Sequence, residues 1–114
     1  MKIPNTRRFA VVSSLMLTAG LLAWASEQPL AHTIEQKDRQ FSQIEITIKP
    51  GASIVFTNSD EITHNVFSNS KDNAFNIKVQ TPGNSSTVTF TNEGVTEVRC
   101  AIHPKMKLLV TVKK

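Results

Sequence analysis

Cys100, His103 and Met106 stand at intervals of three in Arg99-Cys100-Ala101-Ile102-His103-Pro104-Lys105-Met106. A thiol, an imidazole and a thioether thus follow one another in one short segment. Thiolate and thioether are soft ligands that favour Cu(I), and imidazole serves both Cu(I) and Cu(II). With three histidines and three methionines in 114 residues, chance puts one of each at these places behind a given cysteine roughly once in 1,400. A fourth ligand has to come from elsewhere. His64, in Thr63-His64-Asn65-Val66-Phe67, is the candidate. Two imidazoles and a thiolate in a plane, with a weak axial thioether, make the ligand set of a one-electron copper centre. A geometry between the preferences of the two oxidation states needs little rearrangement when an electron moves.

Each residue alone has a plainer reading. Cys100 is the only cysteine, so it forms no intramolecular disulfide. By itself it reads as a small buried apolar residue or a thiol that pairs between chains. Zinc accepts one cysteine and two histidines, but a methionine is a poor partner for it. His103 alone reads as a loop histidine, and His64 as a histidine at a strand end. His32 has no partner pattern and reads as solvated.

The elements that must position these ligands are strands. Gln43 to Ile48 alternates apolar and polar residues with period two, and Lys49-Pro50-Gly51-Ala52 is a turn signal. Ser53–Thr57, Thr63–Phe67, Ser86–Thr91, Val95–Cys100 and Lys107–Val112 read as further strands. His32–Lys37 reads as an opening strand, and Ala74–Val79 as strand-like or irregular. No sustained 3.6-residue stripe occurs beyond the first 25 residues. The pattern predicts an all-β Greek-key sandwich of seven or eight strands. Pro104 donates no ladder hydrogen bond, so the chain turns between Cys100 and Lys107. A sandwich brings that turn and the His64 segment together at one end.

The N-terminus reads as a signal peptide over residues 1–25, followed by one domain over 26–114. Lys2, Arg7 and Arg8 form a basic start, Phe9 to Ala25 is largely apolar and uncharged, and Ala23-Trp24-Ala25 has the small-x-small form of a cleavage site. The apolar run is at the short edge for a membrane span, so no span is expected after cleavage. The formal net charge of +4 is mostly in that leader: beyond it, ten basic residues face nine acidic ones. There is no basic stripe with aromatic platforms, which argues against nucleic acid as a partner. A domain this small gains from an additional staple, and a bound metal supplies one. No long apolar edge demands a dimer, so a monomer is expected.

The chain resembles the small cupredoxins of the plastocyanin and amicyanin type, especially the short periplasmic domains related to methylamine utilisation. The resemblance runs over roughly residues 32–114. Its carriers are Pro50-Gly51 before a strand, Thr63-His64-Asn65-Val66-Phe67, and Glu97-Val98-Arg99-Cys100-Ala101-Ile102-His103-Pro104-Lys105-Met106. It implies copper at one end of the sandwich, with His64, Cys100 and His103 as equatorial ligands and Met106 as the axial one. It implies that Asn65 ties the two ligand loops together. It also implies an exposed His103 edge as the electron port. Ile102, Pro104 and Lys105 surround it as a docking patch, with Pro82 and Lys107 nearby.

The expected function is therefore a periplasmic carrier of single electrons that binds one copper ion and is not an enzyme. The family suggests a dehydrogenase or a c-type cytochrome as donor or acceptor. The rival is a periplasmic copper carrier or buffer without an electron-transfer role. Such carriers offer several exposed methionines or histidines, whereas residues 26–114 contain one methionine. An oxidase or reductase needs an open coordination position or a second metal, and no further ligand cluster is present.

Overall fold

The computed structural model describes residues 1, 2, 4 and 30–114. The expected cleavage site falls outside the described residues. Nine strands follow in order: β1 (Ala31–Lys37), β2 (Gln40–Phe41), β3 (Glu45–Ile48), β4 (Ala52–Asn58), β5 (His64–Ser68), β6 (Phe75–Gln80), β7 (Ser85–Phe90), β8 (Gly94–Arg99) and β9 (Lys107–Val112). Among the described residues there is no helix long and apolar enough to cross a membrane.

Two mixed sheets form the sandwich, one in the order β2-β1-β4-β7 and the other β3-β9-β8-β5-β6. The chain passes repeatedly between them, so β1 lies parallel to β4 and β3 parallel to β9. Period-two alternation puts one face of each strand inside: every second residue of β4 is buried, as is every second residue of β9. Ile34, Ile54, Phe56, Val66, Phe90, Val98, Leu108 and Val110 are fully enclosed. Phe41, Phe56, Phe75 and Phe90 form a chain of ring contacts through this core, with centroids about 6 Å apart.

Two turns use left-handed backbone. Lys49 to Ala52 closes with a 3.0 Å bond from Ala52 N–H to the Lys49 carbonyl. Pro50 and a Gly51 at φ 88° occupy its centre, as a type II turn requires. The second turn carries no such signal. Asp38 and Arg39 join β1 to β2 with φ of 52° and 56°, which gives the mirror-image turn favoured in two-residue hairpins. Asp38 tolerates this backbone, as aspartate does in such turns, but at Arg39 it costs roughly 1–2 kcal/mol. Strand β2 is the ninth strand, beyond the seven or eight expected. Two residues are too few to show any alternation.

Candidate metal centre

His64 opens β5, and Cys100 directly follows β8. The two strands are neighbours in one sheet. His103 lies in the turn beyond Cys100, which is closed by a 3.0 Å bond from Met106 N–H to the His103 carbonyl. Met106 is 2 % exposed and directly precedes β9. The expected turn at Pro104 is therefore the device that returns His103 toward the cysteine.

Three of the four expected ligands converge. Cys100 Sγ lies 3.8 Å from His64 Nδ1 and 3.9 Å from His103 Nδ1, and the two Nδ1 atoms are 3.2 Å apart. A point equidistant from the three atoms is about 2.1 Å from each, which is the length of a metal–imidazole or metal–thiolate bond, about 2.0–2.3 Å. The donor set and the spacing thus fit one metal ion held by two imidazoles and a thiolate. The thioether of Met106 is buried in the adjoining core.

Asn65 links the two ligand-bearing segments. Its backbone N–H points at Cys100 Sγ at 3.3 Å, and its side-chain Oδ1 accepts from Ala101 N–H at 3.3 Å. Its Nδ2 donates to Asn76 Oδ1 and to the Lys78 carbonyl, at 2.9 and 2.8 Å. Lys78 has φ 62°, and Asn76 Oδ1 also accepts its N–H at 2.7 Å. The β5–β6 register shifts here. The segment read as strand-like or irregular is thus a strand, β6, with an irregular pairing to β5.

One residue in contact with a candidate ligand escaped the sequence reading. Asp60 Oδ2 lies 2.6 Å from His64 Nε2. The same carboxylate accepts the backbone N–H groups of Asp38 and Arg39, at 2.8 and 3.0 Å. Burial raises the pKa of Asp60, but the hydrogen bonds to His64, Arg39 and Asp38 outweigh it and hold the carboxyl below its ordinary value. For His103, burial lowers the pKa, and His64 and the Arg39 guanidinium add to it against a smaller pull from Asp60. The only sequence signal for Asp60 was an acidic residue four before a suspected ligand, which is too common to single out.

His103 is half-buried, while Ile102, Pro104 and Lys105 beside it are exposed. Together with Arg39 they line a shallow groove of about 300 Å³. Pro82, in the turn between β6 and β7, does not line this groove, and Arg39 stands there instead. Lys107 lies 3.7 Å from a Glu97 oxygen, so only Lys105 of the two flanking lysines belongs to the groove.

The model of the copper binding proteins of the plastocyanin/azurin family matches residues 29–113. A comparison with curated proteins finds no match. Among solved structures, a purple cupredoxin from Nitrosopumilus maritimus superposes with a TM-score of 0.64 at 26% identity, over 72% of this chain and 99% of that one. Amicyanin from Paracoccus versutus gives 0.67 at 25% identity, over 78% of this chain and 87% of that one. A copper-containing nitrite reductase from Thermus scotoductus gives 0.69 at 23% identity, but only 23% of its own length is covered, so it shows the shared fold alone. The converging thiolate and imidazoles, the two-sheet sandwich and the family match agree, and the chain belongs to the plastocyanin/azurin family of copper binding proteins.

Proposed function

We propose that this protein is an exported type 1 copper protein that passes single electrons between redox partners. The observation that carries this reading is the triangle of Cys100 Sγ, His64 Nδ1 and His103 Nδ1, whose size suits one ion. Copper would supply the one-electron couple, held by His64, Cys100 and His103 with Met106 as the weak axial donor. Asn65 fixes the spacing of the two ligand segments, so the ligands shift little between oxidation states. Ile102, Pro104 and Lys105 surround the His103 edge with a small, mostly apolar contact area. Transient redox complexes use interfaces of that kind, below about 1,200 Å². A dehydrogenase or a c-type cytochrome is the class of partner that the family suggests. The basic leader followed by an apolar run supports export to the periplasm.

Visible absorption and EPR spectra of the copper-loaded chain test this reading. An intense thiolate-to-copper band with narrow copper hyperfine splitting, absent in Cys100→Ser, is the expected result. A colourless protein, or a weak tetragonal Cu(II) signal, would defeat it. The copper-buffer reading predicts rapid loss of copper to a chelator, whereas the electron-carrier reading predicts fast electron self-exchange and slow loss.

A further inference from the structure

We propose that Asp60 is a positioning residue of the copper centre, which commits His64 to the one tautomer and ring orientation that present Nδ1 to the metal. The inference rests on the reading of His64 as a copper ligand and goes beyond it.

The atoms leave little freedom. Asp60 Oδ1 accepts from Asp38 N–H, and Oδ2 accepts both from Arg39 N–H and from the His64 ring, at 2.8, 3.0 and 2.6 Å. A carboxylate engaged by two amide donors is ionised and has no proton to give. The short contact to His64 therefore requires Nε2 to be the donor. With the proton on Nε2, the lone pair on Nδ1 faces Cys100 Sγ and His103 Nδ1. The His64 ring is fully buried and Asp60 part-buried, at 0 and 11 % side-chain exposure, so the ring has no solvent partner to take in place of this contact.

The hairpin explains itself by the same contacts. Of Lys37-Asp38-Arg39-Gln40, Asp38 suits left-handed backbone and Arg39 does not. That conformation points two successive N–H groups into one concavity, which binds an anion. Asp60 is the anion. The backbone strain is thus offset by two charge-assisted hydrogen bonds, and the product is a carboxylate fixed behind a ligand. A carboxylate–histidine–metal arrangement raises ligand basicity. A fixed negative charge beside the ion also favours Cu(II) over Cu(I).

The rival is purely structural: Asp60 merely ties the β1–β2 hairpin to the β4–β5 connection. Two variants of the full chain separate the two. Asp60→Asn has one acceptor oxygen and no charge. It should lower Cu(II) affinity about 10–100-fold and Cu(I) affinity less, so the midpoint potential rises. Asp38→Gly keeps both N–H donors and leaves the Arg39 side chain in place. It should leave both affinities within about twofold of wild type and the potential unchanged, since the carboxylate keeps its donors. Nitrogen-15 NMR of copper-free wild type should show His64 protonated at Nε2 and not at Nδ1. The inference is overturned if His64 carries its proton on Nδ1. It is equally overturned if Asp60→Asn folds and loses thermal stability while keeping the wild-type ratio of Cu(II) to Cu(I) affinity. Should Asp60→Asn fail to fold, the wild-type tautomer alone decides. If the wild type lacks the intense thiolate–copper band, the copper reading itself falls. A normal band with an unshifted Asp60→Asn sinks only this inference.

Discussion

The two histidines that face Cys100 are held in opposite ways. His64 sits at the start of a sheet strand, fully buried, with its outer nitrogen against Asp60. His103 rides on a turn, half-buried, with its surroundings open to a groove of exposed residues. The first is fixed by the fold, and the second by a few contacts within a short loop. A single-electron centre needs both properties. One side must hold the ligands still, and the other must bring a partner close to the metal.

The largest effect expected from this contrast is in rescue by free imidazole. His103→Gly opens onto the surface groove, so added imidazole should enter, complete the ligand triangle and restore the thiolate–copper band. His64→Gly removes a ring enclosed on all sides, so imidazole should not restore it. It also takes one of three hydrogen-bond donors from Asp60 and leaves a cavity, so His64→Gly should lose stability in copper-free unfolding as well. Equal rescue of both variants would show that the two sites do not differ in access.

A smaller effect belongs to the asparagine that joins the two regions. Asn65 carries bonds to Ala101, Asn76 and Lys78. Asn65→Ala removes three part-buried hydrogen bonds, at about 1 kcal/mol each or less. It should broaden the copper hyperfine features, because the Cys100 segment is no longer tied to β5. Asn76→Ala removes only the far end of this network and should change stability more than the spectrum. If the two variants broaden the spectrum equally, the geometry is set by β6 and not by the direct tie.

The strand pattern and the pairing of Cys100 with His103 were legible because one is periodic and the other locally spaced. Leu108, Val110 and Val112 share one face of Lys107–Val112, and the bounds read from sequence match the observed strand. The interval of three between Cys100, His103 and Met106 reads without any knowledge of the fold. What stayed hidden depends on contacts between distant segments. Strand β2 has two residues, and its turn puts Arg39 at a backbone angle that its side chain disfavours; the cause lies over twenty residues away, in Asp60. Arg39 reached the groove beside His103 by the same hairpin. Lys78 adopts a left-handed angle within a strand because Asn65 needs its carbonyl and Asn76 takes its N–H. In each case a polar side chain across the fold overrides local preference, and single-sequence periodicity carries no trace of it.

The loop side offers a finer test in Arg99. Its Nη1 donates to the Pro104 carbonyl at 2.8 Å, and its Nε to Glu97 at 2.6 Å. It is thus the strut between β8 and the turn that carries His103. Arg99→Gln should cost about 0.5–1.5 kcal/mol and speed copper loss to a chelator, while leaving the His64 side untouched. An unchanged loss rate would mean that the turn holds itself without the strut.

The smallest expected effect is the pH response of that strut. The Arg99 hydrogen bond holds the Glu97 carboxyl below its ordinary pKa; burial opposes this slightly, and Lys107 adds to the lowering. The group binds its proton less readily when folded than when unfolded. Its contribution is therefore complete above the ordinary glutamate range, near pH 4, and is lost as the pH falls through the lower folded value. Between pH 7 and 3, wild type should lose slightly more stability than Glu97→Gln, as read by thermal unfolding of the copper-free chain. The side chain is 42 % exposed, so about 1 M salt, with a Debye length near 3 Å, should erase most of the difference. The chelator-driven loss of copper should quicken over the same pH interval in wild type more than in Glu97→Gln. If the two proteins keep the same pH profile at low salt, the carboxylate does not brace Arg99, and the turn that carries His103 is held by the Pro104 contact alone.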